Sequence, residues 1–521
     1  MGAESAGSRP PPMVFAGILV ALSVTAISQT FVATALPTMV GDLGGFGGLA
    51  WIVGGYLLAS TVVVPFAGKL ADLYGTNRLF QISIVVFAIG SVIAGRSTSV
   101  ELLVAARVLQ GLGGGAILTL SFTLVAQLVV PRERGRYQGY IASLFTAANV
   151  AGPLVGGFFV DQLSWRWIFY TTAVVCLVAL LFVRRNLPRD ARSSLAPFDL
   201  AGSCLLVTSL VATMLIASWG GQSLAWASPA MIGLIALTLA VTIGFVLVER
   251  TAVEPVVPVD LFRRRSVRVT TILGFLTGIA MTVVLTYGPT FVQLALGVNA
   301  TASGFLLMPL MLCVMLASTV GGRIMSRTAR YRATAIAGAL LLALGTGALL
   351  LMTADTPLAV PALCVGVVGL GIGLTTPAHM VAVQNAVTED RLGAATSTTQ
   401  FTRKIGSTIG VSVAGGLFAA RTASRLRAEG ALGDDEPLSA LLETPSRIDA
   451  LPDQLEAIVR ESVASGAVAV FALTFVASAV SFVLSFRLPD ERLADVTAEA
   501  PEGSTPGSDQ SVNRSIPPES T

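Results

Sequence analysis

Apolar runs of about 18–25 residues recur from Pro12 to Phe486, each long enough to cross ~30 Å of bilayer hydrocarbon as a helix. They do not alternate between polar and apolar positions, and they are about twice as long as the strands of a membrane barrel, which excludes that architecture. Backbone polar groups in lipid must be satisfied within the segment, so the runs predict membrane-spanning helices. Fourteen are expected, near 13–35, 50–70, 79–97, 102–127, 137–160, 165–183, 199–218, 230–248, 269–291, 302–320, 333–353, 359–380, 395–418 and 463–485. The predicted fold class is an all-α polytopic membrane protein.

An even number of spans places both termini on one side, and the basic residues choose which. Lys69 and Arg78; Arg132, Arg134 and Arg136; Arg184, Arg185, Arg189 and Arg192 fall in alternate connections. So do Arg250, Arg263, Arg264, Arg265 and Arg268; Arg323, Arg327, Arg330 and Arg332; and Arg391. The intervening short connections hold only Arg96 and Arg166. The positive-inside rule makes the arginine-rich side cytoplasmic, with both termini there. The segment from Arg421 to Glu461 has five arginines and nine carboxylates, but a long translocated loop escapes that rule. Leu438, Leu441, Leu442, Ile448 and Leu451 predict short amphipathic turns near the outer surface, as a flap or a lid. The tail beyond Asp495 mixes Gly, Pro, Ser and Glu and is expected to be disordered.

Composition agrees with this pattern. Of 521 residues 54% are hydrophobic and 12% charged, against roughly 25% charged in soluble domains. Cys176, Cys204, Cys313 and Cys364 all lie in apolar runs without metal-ligand spacing. No nucleotide-binding Gly-x4-Gly-Lys motif and no histidine cluster is present, so no enzyme activity, cofactor, metal or nucleic-acid partner is expected.

Chemistry at membrane depth is therefore conspicuous. Arg107 stands inside an apolar segment, where an arginine is costly unless it faces a polar cavity or holds a partner. Its helix continues with Gln110 and Gly111. The stretch Gly68-Lys-Leu-Ala-Asp72-Leu-Tyr-Gly75-Thr-Asn-Arg78 offers a tight turn, with Asp72 able to cap the following helix or pair with an arginine. In Gly152-Pro153-Leu-Val-Gly156-Gly157 the proline removes a helix hydrogen bond and the glycines allow close helix approach.

Together these motifs resemble the major facilitator superfamily, specifically its fourteen-helix drug:proton antiporter branch. Gly68 to Arg78 resembles the signature between helices two and three, with Thr76 and Asn77 where basic residues are frequent. Leu103 to Gly111 resembles the fourth-helix motif, and Ala151 to Gly157 the fifth-helix antiporter motif. Trp51 with Tyr56, Ser164 to Tyr170, and Gln384-Asn385-Ala386 add agreement. The resemblance implies a cytoplasmic tail at 1–12, a six-helix bundle at 13–183, and a linker at 184–268 carrying two additional membrane helices. A second six-helix bundle would fill 269–486, including the outside loop 421–462, before a tail at 487–521. Such repeats support rocking around one central cavity. The gating residues it implies are Gly68, Asp72, Gly75, Arg78, Gly152, Pro153, Gly156, Gly157 and the basic pair Arg403 and Lys404.

One position departs from that pattern. Ser28 stands where the family usually has an acidic residue linked to proton handling, and a serine does not release a proton near neutral pH. Three accounts stay open: a substitution that traps one conformation, coupling routed elsewhere, or facilitated transport. The coupling candidates are Asp72, Arg107 and His379, the one histidine of the chain. Polar cavity candidates are Ser28, Gln29, Thr30, Thr34, Tyr56, Arg107, Gln110, Asn149, Tyr287, Gln293 and Gln384. Phe31, Phe291, Phe305 and Met308 are candidates for apolar ligand surface or for packing, and Trp219 and Trp226 for interface anchors.

The expected function is export of lipophilic or amphipathic small molecules across the bacterial inner membrane, in exchange for protons. An uncoupled permease, or a lipid-handling protein working with a cell-envelope partner, are the alternatives. A monomer surrounded by membrane lipids is expected.

Overall fold

In the computed structural model, residues 12–43, 49–186, 199–219, 228–252, 255, 257–298, 300–431 and 452–493 are described. Most of the expected outer flap, the arginine-rich stretch 187–198, Trp226, and the terminal segments 1–11 and 494–521 lie outside those residues, as do the side chains of Thr34, Pro153, Gly157, Trp219 and Phe305.

The described chain forms fourteen long α-helices. They are α1 (Pro12–Leu43), α2 (Leu49–Tyr74), α3 (Thr76–Gly95), α4 (Val100–Leu128), α5 (Pro131–Gln162), α6 (Trp165–Asn186) and α7 (Leu200–Trp219). Then follow α8 (Pro229–Thr251), α9 (Arg265–Leu294), α10 (Ala300–Thr328), α11 (Arg332–Ala348), α12 (Ala359–Asn385), α13 (Leu392–Ala428) and α14 (Asp453–Ser485). Eleven of these, among the described residues, are long and apolar enough to cross a membrane. The three that fall short are α5, α7 and α13. The apolar stretch of α7, Ala201–Ile216, is shorter than a full span. In α5 the first two turns hold Arg132, Glu133, Arg134, Arg136 and Gln138, and α13 carries a run of Thr and Ser before Arg403 and Lys404. Those polar stretches have a location in common, because α5 packs on α10 and α13 packs on α2, both far away in sequence.

Other neighbours are more local. Helix α1 lies against α5 and α6, α4 against α2 and α3, and α3 against α6. In the second group α9 lies against α13 and α14, α12 against α10 and α11, and α11 against α14. Helices α7 and α8 pair with each other, and α7 also touches α2 and α13. The side chains of α8 are nearly all outward, with only Met231 and Glu249 buried, as a helix bathed in lipid requires.

Small residues set the spacing of the first group. A side chain at Gly152 would strike Thr30, and one at Gly156 would press on Phe31, so these positions let α5 lie directly on α1. The glycine motif thus serves packing inside the first six helices. At one end, Trp165 Nε1 donates to Asp42 Oδ2 at 2.9 Å while Arg166 lies 4.3 Å over the Trp165 ring, tying α6 to α1.

Phe31 and Phe291, weighed as ligand surface, are core residues. Phe31 meets Phe169 edge-on at 5.5 Å, and Phe291 meets Phe471 at 6.1 Å. Both are essentially unexposed.

Candidate functional site

Arg107 is enclosed by helices α1, α2 and α4. Its guanidinium donates to Ser28 Oγ at 3.2 Å, Gln110 Oε1 at 2.9 Å and the Ile52 carbonyl at 3.3 Å. It also lies 4.2 Å from the centre of the Tyr56 ring. Gln110 passes the network on, since its Nε2 donates to Ser91 Oγ at 2.7 Å, and Ser91 donates to Phe87 O. Tyr56 in turn donates to Thr25 O and receives a hydrogen bond from Gln29 Nε2 at 3.4 Å.

Every one of these partners is neutral. A buried ion loses several kcal/mol of hydration. Hydrogen bonds to a charged group return about 1.5–3 kcal/mol each, and a desolvated cation over an aromatic face about 2. Several neutral dipoles thus replace the one carboxylate that is missing. Arg107, Ser28 and Gln110 are 1%, 0% and 0% exposed, so the network lies inside the first helix group and not on an open cavity wall.

A second assembly joins the two groups at their arginine-rich end. Asp72, at the end of α2, accepts the backbone N–H groups of Gly393 and Ala394 at 2.9 and 2.8 Å. Those are the first free N–H groups of α13, where an anion is favoured by both hydrogen bonding and the helix dipole. Asp72 therefore caps a helix more than three hundred residues away. The following helix, α3, begins at Gly75 with no side-chain cap. Gly75 has a φ of 94°, a backbone that needs glycine. A side chain at Gly68 would collide with Ser397 and Gly393, and one at Gly393 with Asp72 and Gly68, so the α2–α13 crossing exists only because both are bare.

Gln384, placed by sequence among cavity candidates, belongs to this end. Its Oε1 accepts from Gln138 at 3.0 Å, its Nε2 donates to Phe122 O at 3.1 Å, and its carbonyl accepts from Arg134. Along α5 and α10, Ser326 donates to Glu133 at 2.7 Å, and Ser143 and Thr319 share a hydrogen bond of 2.7 Å. Arg132 reaches the Ser326 carbonyl. Glu133, Arg134, Gln138, Ser143 and Thr319 were missed by the sequence reading. The recurrence of the first four on the first half of an otherwise apolar α5 is the signal that identifies them, and Thr319 is the α10 partner of Ser143. Nearer mid-helix, Lys404 Nζ donates to Ser60 O at 2.9 Å and Ser60 Oγ at 3.1 Å.

The remaining candidates are scattered. Thr30 bonds to Ile27 O and Asn149 to Phe145 O, each within its own helix. Tyr287 is half-buried with its ring 5.7 Å from Phe418. Gln293 is half-buried near the end of α9, Arg78 is exposed, and Met308 faces outward. His379 is buried on α12 and lines a small cleft with Arg403.

The arrangement is two helix groups joined at their arginine-rich end by polar contacts, with charged groups inside apolar helices. Residues 18–411 match the family description Major Facilitator Superfamily. The chain is 34% identical over 414 residues to the multidrug transporter protein MdtP of Bacillus subtilis, covering 80% of this chain and 76% of the relative. It is 32% identical over 415 residues to Multidrug resistance protein 3 of the same organism, covering 80% and 81%. Among solved structures, the proton:xylose symporter XylE superimposes with a TM-score of 0.61 at 12% identity, over 92% of this chain and 97% of that one, a likeness of fold alone. The chain belongs to the Major Facilitator Superfamily, as a multi-pass membrane protein that carries small molecules by secondary transport and is not an enzyme.

Proposed function

We propose that this protein exports lipophilic or amphipathic small molecules across the bacterial inner membrane by alternating access, in antiport with protons. In this reading α1–α6 and α9–α14 are two six-helix bundles, and α7 and α8 are two additional membrane helices, the fourteen-helix arrangement of drug:proton antiporters. The arginine-rich end is cytoplasmic under the positive-inside rule, with both termini on that side. Membrane lipids surround a monomer.

The observation that carries the proposal is that the described polar contacts between the two groups run from Asp72 and Gln384 to Lys404 and Ser60. Fastening at one end is the form a rocking pair takes in one of its two states. The latch also supplies a route for coupling. Protonation of Asp72 would remove the charge that the α13 N-terminus holds, loosening the cytoplasmic closure as a proton is taken up. The multidrug names of the two Bacillus relatives support a cargo of more than one kind.

An uncoupled facilitator is the second reading, and the neutral surroundings of Arg107 favour it: Ser28 occupies the place from which a carboxylate would exchange protons.

A cysteine pair at Ser143 and Thr319, in a chain whose four native cysteines are replaced, tests alternating access. Oxidation is expected to join α5 to α10 and stop transport in proteoliposomes, and reduction to restore it. Undiminished transport by the cross-linked protein sinks the mechanism.

A further inference from the structure

Cations at membrane depth here differ in what their charge is used for. Arg107 is sealed among neutral partners. Lys404 is held by Ser60 of the other helix group. Arg403, one residue earlier on α13, is half-buried and, among the described residues, has neither a carboxylate nor a side-chain hydrogen-bond partner.

Arg403 lines a small cleft with Thr277 of α9, Thr376 and His379 of α12, and Thr399 and Gln400 of α13. Thr376 and Thr399 donate their hydroxyl hydrogens to carbonyls of their own helices. Three other groups are unsatisfied: Thr277 Oγ1, His379 Nε2 and Gln400 Nε2. Those residues are 1%, 3% and 2% exposed, and a buried polar group left without a partner costs roughly 1–3 kcal/mol. Gln400 offers an amide N–H, Thr277 an O–H, and His379 an N–H in one neutral tautomer and in its cation. The three helices that build the cleft, α9, α12 and α13, contain no Asp or Glu at all. Donors and positive charge converge there with nothing negative to receive them.

We propose that this cleft, whose volume of about 10 Å³ fits a single oxygen atom, is the inner end of an acid-binding subsite: one oxygen of the carboxylate, sulfonate or phosphate of an amphipathic anion enters it, and the rest of that molecule lies outside its mouth. The inference rests on the transport reading and narrows its cargo class to acidic amphiphiles. A guanidinium with adjacent N–H and O–H donors matches the several lone pairs of an oxyanion, and the charge-assisted bonds that result are about twice as strong as neutral ones. A cationic amphiphile would instead meet Arg403 and His379 with no counter-charge, so the cleft discriminates by repulsion as well as by attraction.

The test uses the full chain in phosphatidylcholine nanodiscs and two probes with the same aromatic body, 9-anthracenecarboxylate and 9-anthracenemethylammonium, with binding measured by equilibrium dialysis. The carboxylate is expected to bind at least about tenfold more tightly, with Arg403→Gln removing that preference and Arg403→Lys restoring most of it. Gln400→Leu is expected to weaken carboxylate binding several-fold and leave the ammonium probe unchanged. Arg487→Gln, an exposed site elsewhere, is the control that changes neither. Equal affinities for the two probes, or a preference that survives Arg403→Gln in a protein with normal melting behaviour, overturn the proposal and assign the cleft to water. Transport of the lipophilic cation ethidium by both wild type and Arg403→Gln would sink the subsite and leave the exporter standing. Arg403-dependent binding without transport of either anthracene probe into vesicles would do the reverse.

Discussion

At Arg107 the chain holds a charge with dipoles, and each dipole has a measurable share. Ser28→Ala leaves one N–H of a buried cation without an acceptor, and a loss of about 1–3 kcal/mol is expected. Ser28→Asp acts oppositely: the cation is already desolvated, so a carboxylate placed where Ser28 Oγ lies 3.2 Å away adds attraction without a second charge being left alone. Thermal unfolding in detergent checks both, the alanine variant melting lower and the aspartate variant higher. A lower melting point for Ser28→Asp would mean that the network cannot shift to take a longer side chain. The composition of this cluster was legible in sequence, because Arg107 and Gln110 share a helix face at i,i+3 and an arginine in an apolar run must find partners. Its seclusion was not. Whether a helix turns a residue toward a cavity or toward a neighbour depends on its rotation in the bundle, and that follows from packing across helices that no single run encodes. The same limit applies to Phe31 and Phe291, whose apolar character suits a ligand wall and a core equally well.

Between elements, the decisive contact is an acid on the end of one helix and the bare amides at the start of another. Gly393→Val would drive a branched side chain into Asp72 and the Gly68 carbonyl, so the α2–α13 crossing cannot form. The expected result is a protein that still folds but rests with its arginine-rich end open. A cysteine placed at Ser397 would then react with a membrane-impermeant maleimide from that side several-fold faster than in the parent. An unchanged labelling rate would remove the latch role from this crossing. From the sequence, Asp72 could cap the next helix or pair with an arginine; it instead accepts from the N–H groups of Gly393 and Ala394 of α13, a partner that local reasoning along the chain does not reach. The polar first half of α5 carried more information than was taken from it. Arg134, Gln138 and Ser143 interrupt a membrane-length helix, and such residues need a partner helix, here α10 or α12.

For the molecule as a whole, the hydrophobic pattern placed a long helix at each of the fourteen runs, and eleven of these, among the described residues, are long and apolar enough to cross a membrane, because burial in lipid constrains length and composition strongly. It foretold less about α5, α7 and α13, where polar faces or a short apolar stretch weaken the signal. Energy coupling is a property of this scale too. In inside-out vesicles with an imposed pH gradient, antiport predicts accumulation of cargo that collapses with an uncoupler, and a facilitator predicts equilibration only. Measured for the parent and for Ser28→Asp side by side, equal gradient dependence places coupling away from residue 28, while dependence in the variant alone establishes that the parent lacks the usual proton carrier.

Helix α7 touches both α2 and α13, whereas the helix that touches both α5 and α10, among the described residues, is α12 of the second group. It follows that a helix from between the two groups covers the α2–α13 seam, while the α5–α10 seam is backed by α12. Cargo drawn from a leaflet is expected to meet α5 and α10 before α2 and α13, and a photoreactive lipophile that labels α2 and α13 as strongly as α5 and α10 would refute that.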